Sequence, residues 1–426
     1  MAIVETDNPE LRKELLALEK LIEQGGGGIH SKVVICDQGG GLSIKTTEPM
    51  ERGKEIIRLS RDTLLPSDKY NVLVKKDEFR LEIPKNSSLS SLQRQLAETM
   101  ITLYNLTSKV KLHKELSFSL SLQPYPELIE KIQEGRMFGK NLLNWSDRLQ
   151  KGMEEDEFNE FVSDSFLKTR YLGYGDYLRT SDVSTLMPLI DFLNHHWQGA
   201  AFHVGIGVRK GDLAVTANQV VDGSTECYAF YGPMDALDTL LRYDFIDEYA
   251  PVVRSVPIVL EVDGYGAVKV NSTPGIMNQK KLGKQIADLN RFIPTLTLRK
   301  DKQFLGVSHL LIPTDGSPKA LRRVLYIILA NMTGEPEMDK DFYEPWIRRA
   351  EAKILEVNNT FYRGLLELTE KIAREKGTGP GLDRVNQMAR VQLRKLEQYL
   401  PMDVYAEKLN EQKAAQAKKT AGAAVH

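Results

Sequence analysis

Two segments of the sequence carry residues whose types and spacing could support chemistry. In the first, an apolar run over residues 186–190 leads into Asp191, Asn194 and His195. In the second, about thirty residues later, an aromatic strand pattern ends at Tyr231. Amide, imidazole and phenol groups all donate and accept hydrogen bonds, as a site that orients a ligand requires. Either segment alone is typical of a turn or a buried strand, but the two together, in this order, predict a functional site.

The common catalytic signatures are missing from the sequence. No G-x-G-x-x-G follows a strand and no G-x-x-x-x-G-K-[ST] is present, so the glycines at 39–41 indicate a hairpin turn and not a nucleotide site. The 7 histidines include no H-E-x-x-H, and the 2 cysteines, Cys36 and Cys227, cannot complete a four-cysteine zinc site or an iron–sulfur cluster. No G-x-S-x-G is present either. We therefore expect neither a metal ion nor a serine nucleophile.

The charge balance excludes partners that need a strongly charged surface. The 426 residues include 57 Lys and Arg against 58 Asp and Glu, a formal net charge of −1. Such a chain has no overall field to attract nucleic acid or anionic lipid. It also starts without a secretory signal pattern, and its few cysteines favour a reducing compartment. We expect a cytoplasmic monomer without nucleic-acid or membrane partners, with the plastid or nucleus as alternatives in a eukaryote.

The hydrophobic pattern changes period several times along the chain. Asn8 and Pro9 predict the start of a helix that ends at the glycines 25–28. A helical pattern covers about 85–165, and the region beyond Pro274 is helical again. Two long C-terminal helices are predicted over 347–372 and 383–400, and a low-complexity end follows them. Strands are predicted at 32–35, 42–46, 55–59, 201–208, 212–217, 226–231, 256–262 and 267–270.

This order of elements predicts the fold class. A doubly wound sheet would alternate strand and helix throughout, whereas here a helical segment interrupts the strands and a helical third follows them. We therefore predict an α+β core with an attached helical region. The length is consistent with two or three domains of about 150 residues.

The motifs in these segments resemble those of SET-domain protein methyltransferases, in the subgroup similar to the Rubisco large-subunit lysine methyltransferase. D-F-L-N-H at 191–195 resembles the cofactor-binding motif of that family, and F-Y-G at 230–232 resembles the strand end that carries its active-site tyrosine. F-L-K-T-R-Y at 166–171 resembles its Ser/Thr-Arg motif, and residues 39–66 resemble its opening strands. Tyr243 matches the aromatic position of the Y-G-F that follows.

The resemblance covers most of the chain and implies its domain organisation. It implies an α+β fold with a SET-domain β core, a helical insert and an all-helical C-terminal substrate-binding domain. The implied boundaries are 1–30 for an N-terminal helix and glycine linker, 31–272 for the SET domain with its insert at about 85–165, 273–405 for the C-terminal domain, and 406–426 for a flexible tail.

The resemblance also implies the chemistry, with S-adenosyl-L-methionine as cofactor and Tyr231 as the catalytic residue beside the transferred methyl group. Arg170 would pair with the cofactor carboxylate, Asn194 would bind its amino-acid part, and Asp191 would orient the turn. The implied cofactor-binding residues are Arg170, Asp191, Asn194, His195, Tyr243, Gly41 and Leu42, and the implied substrate-binding residues are Phe230, Tyr228 and Tyr171.

Three functions agree with these motifs. The first is a protein-lysine N-methyltransferase that acts on a non-histone protein docked by the C-terminal helices. The second is a protein-histidine N-methyltransferase, since the subgroup includes one; Tyr171 stands where that relative has a small amide and favours lysine. The third is a binding module that has lost turnover. His196 and the pair Asp244-Phe245 depart from the family pattern and leave the substrate open.

Overall fold

The described chain is a mixture of helices and strands, as the sequence predicts. The computed structural model describes residues 2–39, 41–51, 53–107, 109–136, 154–174, 183–200, 203–204, 212–217, 225–273, 292–298 and 304–423. The predicted strand at 201–208 and the middle of the predicted helical insert therefore lie mostly outside the described residues. The helices are α1 (Pro9–Gln24), α2 (Ser91–Leu106), α3 (Lys109–Leu116), α4 (Phe118–Ser121), α5 (Pro126–Gly135), α6 (Glu155–Lys168), α7 (Ala236–Tyr243), α8 (Lys319–Thr333), α9 (Lys340–Lys376), α10 (Pro380–Leu396) and α11 (Met402–Ala423).

The strands are short, and two of them, β4 and β5, match the predicted segments residue for residue. They are β1 (Ile3–Glu5), β2 (Gly28–Ile29), β3 (Val33–Asp37), β4 (Leu42–Thr46), β5 (Glu55–Leu59), β6 (Leu65–Pro66), β7 (Asn71–Lys75), β8 (Glu78–Glu82), β9 (Leu172–Tyr174), β10 (Val183–Leu186), β11 (Asn194–Ala200), β12 (His203–Val204), β13 (Leu213–Thr216), β14 (Tyr228–Ala229), β15 (Val252–Arg254), β16 (Ile258–Val262), β17 (Gly266–Val270), β18 (Leu296–Leu298), β19 (Phe304–Val307) and β20 (Leu311–Pro313).

The chain divides into two compact units. Unit 1 comprises Met1–Ser117 and Lys151–Gly232, and unit 2 comprises Phe118–Gln150 and Pro233–His426. Unit 1 contains β1 to β14, and unit 2 contains β15 to β20 together with the long helices α8 to α11.

Unit 1 is built from several small sheets. Their strand orders are β1-β3-β4, β6-β10-β9, β11-β14, β12-β13-β5-β2 and β7-β8. Helix α1 starts at Asn8, whose side chain accepts hydrogen bonds from the main chain of Glu10 and Leu11. Helix α2 starts with a capping box between Ser90 and Gln93, which satisfies main-chain donors at that end. Local capping residues in the sequence thus set where both helices begin.

Unit 2 packs its helices on a four-stranded sheet of order β16-β17-β19-β18. Buried side chains from these strands and from α7 to α10 form one continuous apolar cluster. The prediction of an all-helical segment over 273–405 is wrong, because β18, β19 and β20 lie inside it. These strands have three or four residues each, too short for a period-2 pattern to be recognised against the helices around them.

The last part of the chain is helical to Ala423 as α11. The flexible tail predicted for 406–426 rests on the low-complexity composition of that segment, and its flexibility remains a prediction. In the described ranges, no helix is long and apolar enough to cross a membrane.

Unit 2 also contains a buried network of charges around the start of α7. Arg136 Nη2 lies 2.6 Å from Asp235 Oδ2 and Arg136 Nε lies 2.9 Å from Asp238 Oδ1. Arg254 Nε lies 2.6 Å from Asp238 Oδ2, and Gln392 Nε2 donates to Asp235 Oδ2 at 2.6 Å. Each carboxylate therefore accepts from two or more donors inside the unit.

This network predicts an acid-dependent stability. Burial opposes ionisation of Asp238, but Arg254 and Arg136 outweigh it and lower the pKa of this carboxyl to about 2 from 3.8. A lowered folded-state pKa stabilises the protein above the unfolded pKa, so about 2 kcal/mol is expected to be lost as the pH falls from 4 towards 2. Urea unfolding between pH 5 and 2.5 measures this loss, which Asp238→Asn should reduce. The exposed Asp263 gives the control Asp263→Asn, and an equal reduction there would contradict the assignment.

Candidate active site

A strained turn at Leu189 leads into the D-x-x-N-H segment of unit 1. Leu189 has φ 65 and ψ −42, and the Ile190 main chain donates to the Pro188 carbonyl at 2.8 Å. These values describe a γ-turn of the rare form with positive φ, which a leucine adopts only against steric resistance. Leu189 is fully buried, so packing holds it there. A short 3-10 turn, Ile190–Phe192, follows and leads into β11.

The Asp191 carboxylate ties this turn to two other parts of unit 1. Tyr104 Oη on α2 donates to Asp191 Oδ2 at 2.8 Å, and Arg170 Nη1 lies 3.5 Å from Asp191 Oδ1. Burial raises the pKa of Tyr104 and the Asp191 charge raises it further, so its phenol stays protonated. The Asp191 carboxylate thus connects the turn to α2 and to Arg170, and its part in cofactor binding stays a prediction.

Arg170 lies just beyond the end of α6 with its guanidinium 5.2 Å from the Phe166 ring. Burial opposes its charge, but Asp191 outweighs burial and raises the pKa of Arg170. Its Nε has no hydrogen-bond partner in the described part of the chain. A buried donor of this kind is costly to leave unpaired, so Arg170 is suited to hold an anionic ligand.

Asn194 begins β11, and its exposed side chain is oriented by a neighbour on the other segment. Asn194 Nδ2 donates to Glu226 Oε1 at 2.9 Å, and Tyr228 Oη donates to Glu226 Oε2 at 3.0 Å. Strand β11 also pairs with β14 in parallel, with Asn194 opposite Tyr228 and His195 opposite Ala229. Because Nδ2 is held by Glu226, the amide oxygen of Asn194 is directed to act as an acceptor.

His195 and Tyr231 join the two predicted segments directly. The Tyr231 main chain donates to His195 Nδ1 at 3.1 Å, which requires the ring proton on Nε2. Tyr231 Oη donates to the Leu193 carbonyl at 2.5 Å. The His195 ring lies 5.1 Å from the Tyr231 ring and 6.1 Å from the Phe230 ring. The imidazole thus supports the strand end that carries Tyr231.

Strand β4 forms main-chain hydrogen bonds with the segment that leads to Tyr231. The Cys227 main chain donates to the Ile44 carbonyl at 2.8 Å, and the Thr46 main chain donates to the Thr225 carbonyl at 2.9 Å. Gly41 and Leu42, predicted to contact a cofactor through their main chain, stand at the start of this strand. The structure therefore brings them into the same unit and next to the strand that leads to Tyr231.

For two further predicted site residues, Tyr171 and Tyr243, the described contacts are with other aromatic rings. Tyr171 packs edge-on against Tyr70, with ring centroids 6.5 Å apart, and burial raises its pKa. Tyr243 ends α7 in unit 2, where its ring lies 6.3 Å from Phe245. Their roles at the site stay predictions.

Two residues of the site were missed by the sequence analysis. Tyr104 lies on a helix face whose spacing is typical of core. Glu226 belongs to a strand where it is one acidic residue among many. Only the position of Glu226, at the start of the aromatic segment, gave a signal that could have identified it.

Comparisons with known proteins find structures and no sequences. No family model matches the chain, and no curated protein matches it. The SET domain of LSMT bound to lysine and AdoHcy is 14% identical, with 93% of this chain and 92% of that chain covered and a TM-score of 0.40. Rubisco LSMT bound to sinefungin and monomethyllysine is 14% identical, with 95% and 93% covered and a TM-score of 0.36. Rubisco LSMT bound to AdoMet is 13% identical, with 93% and 92% covered and a TM-score of 0.33. Because these TM-scores are below 0.5, the residues of the site carry the functional argument.

Proposed function

We propose that this chain is an S-adenosylmethionine-dependent protein-lysine N-methyltransferase. One observation carries the proposal: the D-F-L-N-H turn and the F-Y-G strand end, which resemble the cofactor-binding and catalytic motifs of SET-domain enzymes, form one hydrogen-bonded structure. Tyr231 connects the two segments by two hydrogen bonds, one from its main chain to His195 and one from its hydroxyl to the Leu193 carbonyl.

The residues present fit the chemical groups of this cofactor. Its amino-acid part carries a carboxylate and an ammonium group, which need a cationic donor and a neutral or anionic acceptor. Arg170 offers an Nε that has no partner among the described residues, and Asn194 offers its amide oxygen. Gly41 has no side chain to obstruct a ligand that approaches the start of β4. The donor set therefore suits an amino-acid group.

The residues of the chain then have to position the acceptor amine. S-adenosylmethionine supplies a methyl group that is already activated by its attachment to a sulfonium. A lysine amine has a reference pKa near 10.4 and must lose a proton before it can attack, and apolar surroundings lower that pKa. Phe230, with the Trp197 ring edge-on at 5.2 Å, supplies such surroundings. Tyr231 Oη donates its own proton to Leu193 and so turns its lone pairs towards an incoming N–H.

The acceptor and its docking are further parts of this proposal, supported by the sequence resemblance. We propose a non-histone protein as substrate, the helices after residue 273 as its docking surface, and a monomeric enzyme in the cytoplasm. Tyr171 stands at the position where a histidine-specific relative has a small amide residue, and this difference supports lysine as the acceptor.

Transfer of a labelled methyl group tests the proposal. The purified chain is incubated with methyl-labelled S-adenosylmethionine and a lysate of its own source, and mass spectrometry locates the label. Label on a lysine of one dominant protein is the expected result. Label on histidine would select the histidine methyltransferase, and cofactor binding without transfer to any protein would instead favour the binding module.

Asn194→Ala is expected to weaken the affinity for S-adenosylmethionine about fivefold, the loss of one hydrogen bond of about 1 kcal/mol. Isothermal titration calorimetry of the purified proteins measures the change. Asn331→Ala is the matched control, because Asn331 is an exposed asparagine on α8 of unit 2 and should retain full affinity. Wild-type affinity in the Asn194 variant would contradict its assigned contact.

A further inference from the structure

A second cation lies beside the candidate active site, and the chemistry above does not use it. Lys109 is the first residue of α3 and is half-buried. Its ammonium makes no hydrogen bond or ion pair within the described residues. Removing a charged group from water without a partner is unfavourable. A cation held in this way is therefore suited to bind an anion that the protein itself does not provide.

The position of Lys109 points to the same ligand as Arg170. A Cβ atom added to Gly41 would lie 3.2 Å from Lys109 Nζ, so the ammonium lies against the main chain at the start of β4. The charges of Arg170 and Asp191 are both close enough to influence it. Tyr104 and Arg170 already approach the Asp191 carboxylate. The cations Lys109 and Arg170 thus lie near a single carboxylate, that of Asp191. This carboxylate already has partners of its own.

The pKa shifts of Lys109 and of a neighbouring histidine agree with an anion-binding site. Burial first and the Arg170 charge second lower the pKa of Lys109 to about 8, and Asp191 offsets this only in part. Burial, Arg170 and Lys109 lower the pKa of His113, on the same helix, to about 4, so this imidazole is neutral at pH 7. The region therefore holds positive charge in excess, which a bound carboxylate would balance.

We propose that Lys109 and Arg170 together bind the carboxylate of the amino-acid part of S-adenosylmethionine, an inference that rests on the proposed function. Lys109 approaches from α3 and the Gly41 side, and Arg170 approaches from the end of α6. The two donors therefore hold the carboxylate from different elements and fix the direction of the amino-acid part relative to Asn194.

Binding of two ligands that differ in one group tests this assignment. S-adenosylmethionine carries the carboxylate, and decarboxylated S-adenosylmethionine lacks it but keeps the sulfonium and the amine. Isothermal titration calorimetry with both ligands is done on the wild type, on Lys109→Met and on the control Lys114→Met. Lys114 belongs to the same helix but pairs with the exposed Asp77 at 2.9 Å. Circular dichroism and thermal melting verify that the variants fold.

The expected result is selective. Lys109→Met should bind S-adenosylmethionine about tenfold more weakly than the wild type, as for loss of a charge-assisted hydrogen bond, and bind the decarboxylated ligand equally well. Equal affinity for S-adenosylmethionine, or an equal loss for both ligands, would overturn the role of Lys109 while leaving the proposed function intact. A folded wild type that binds neither ligand would instead overturn the proposed function and this inference with it.

The pH dependence of binding gives a second readout. Of the groups around Lys109, Arg170 stays charged and His113 stays neutral between pH 7 and 9, and the Tyr104 phenol stays protonated. Lys109 itself loses its proton near pH 8 in the free protein, so wild-type affinity should fall over this range. Lys109→Arg keeps its charge and should show a smaller fall. The amine of the ligand also titrates near pH 8, but it affects the wild type and Lys109→Arg equally. Identical pH profiles for these two proteins would contradict the proposal.

Discussion

Replacing Tyr231 with phenylalanine is expected to lower methyl transfer about 100-fold, within the range for loss of one positioned proton-handling group. The substitution removes the hydroxyl that donates to the Leu193 carbonyl at 2.5 Å and changes little volume. The ring keeps its place beside His195, because the contact between them and the main-chain hydrogen bond do not need the hydroxyl. Turnover should therefore fall while the affinity for S-adenosylmethionine stays within about twofold of the wild type.

Two measurements on the same preparations separate these effects. Methyl transfer to the identified substrate gives the turnover number, and calorimetry with S-adenosylmethionine gives the affinity. Tyr265→Phe is the matched control, because Tyr265 packs against Phe342 in unit 2 and should keep full activity. Unchanged turnover in Tyr231→Phe would remove Tyr231 from the mechanism, and a parallel loss of affinity would show that the hydroxyl acts through the structure of the turn.

The parts of the molecule that the sequence predicts well are those defined by local signals. Strands β4 and β5 have the predicted bounds because β-branched runs there are enclosed by glycine turns. Helix α1 has the predicted start because Asn8 and Pro9 are a cap and a first-turn residue. The turn at Asp191 and the strand end at Tyr231 were found for a similar reason, since each is one short segment with an unusual order of polar and aromatic residues.

The contacts that complete the site could not be predicted from local signals. Tyr104 and Asp191 are 87 positions apart, and Asn194 and Glu226 are 32 apart. Such pairs are set by the packing of α2 and by the parallel pairing of β11 with β14, neither of which leaves a periodic pattern. Lys109 shows the limit most clearly, because a lysine in a charged run is typical of a solvated helix. Its half-buried position against Gly41 depends on the fold of the whole unit.

The same distinction applies to the buried charges of unit 2. Arg136 ends a short amphipathic helix and would be expected at the surface, yet it is fully buried. Its guanidinium reaches Asp235 and Asp238, 99 and 102 positions away, and also donates to Tyr362 Oη at 3.3 Å. A planar guanidinium with several donors is suited to this position, because it reaches both carboxylates at once.

Arg136→Met is expected to lower the free energy of unfolding of unit 2 by about 3–5 kcal/mol, as for removal of one partner from a buried ion pair. Methionine fills much of the volume, so the loss measures mainly the two carboxylates left with fewer donors. Urea unfolding at pH 7, followed by circular dichroism, gives the value. Arg349→Met is the matched control, since Arg349 pairs with Asp263 at 3.0 Å on the surface and should change stability by about 1 kcal/mol or less. A loss in Arg136→Met as small as in the control would mean that Arg254 and Gln392 are sufficient to hold both carboxylates.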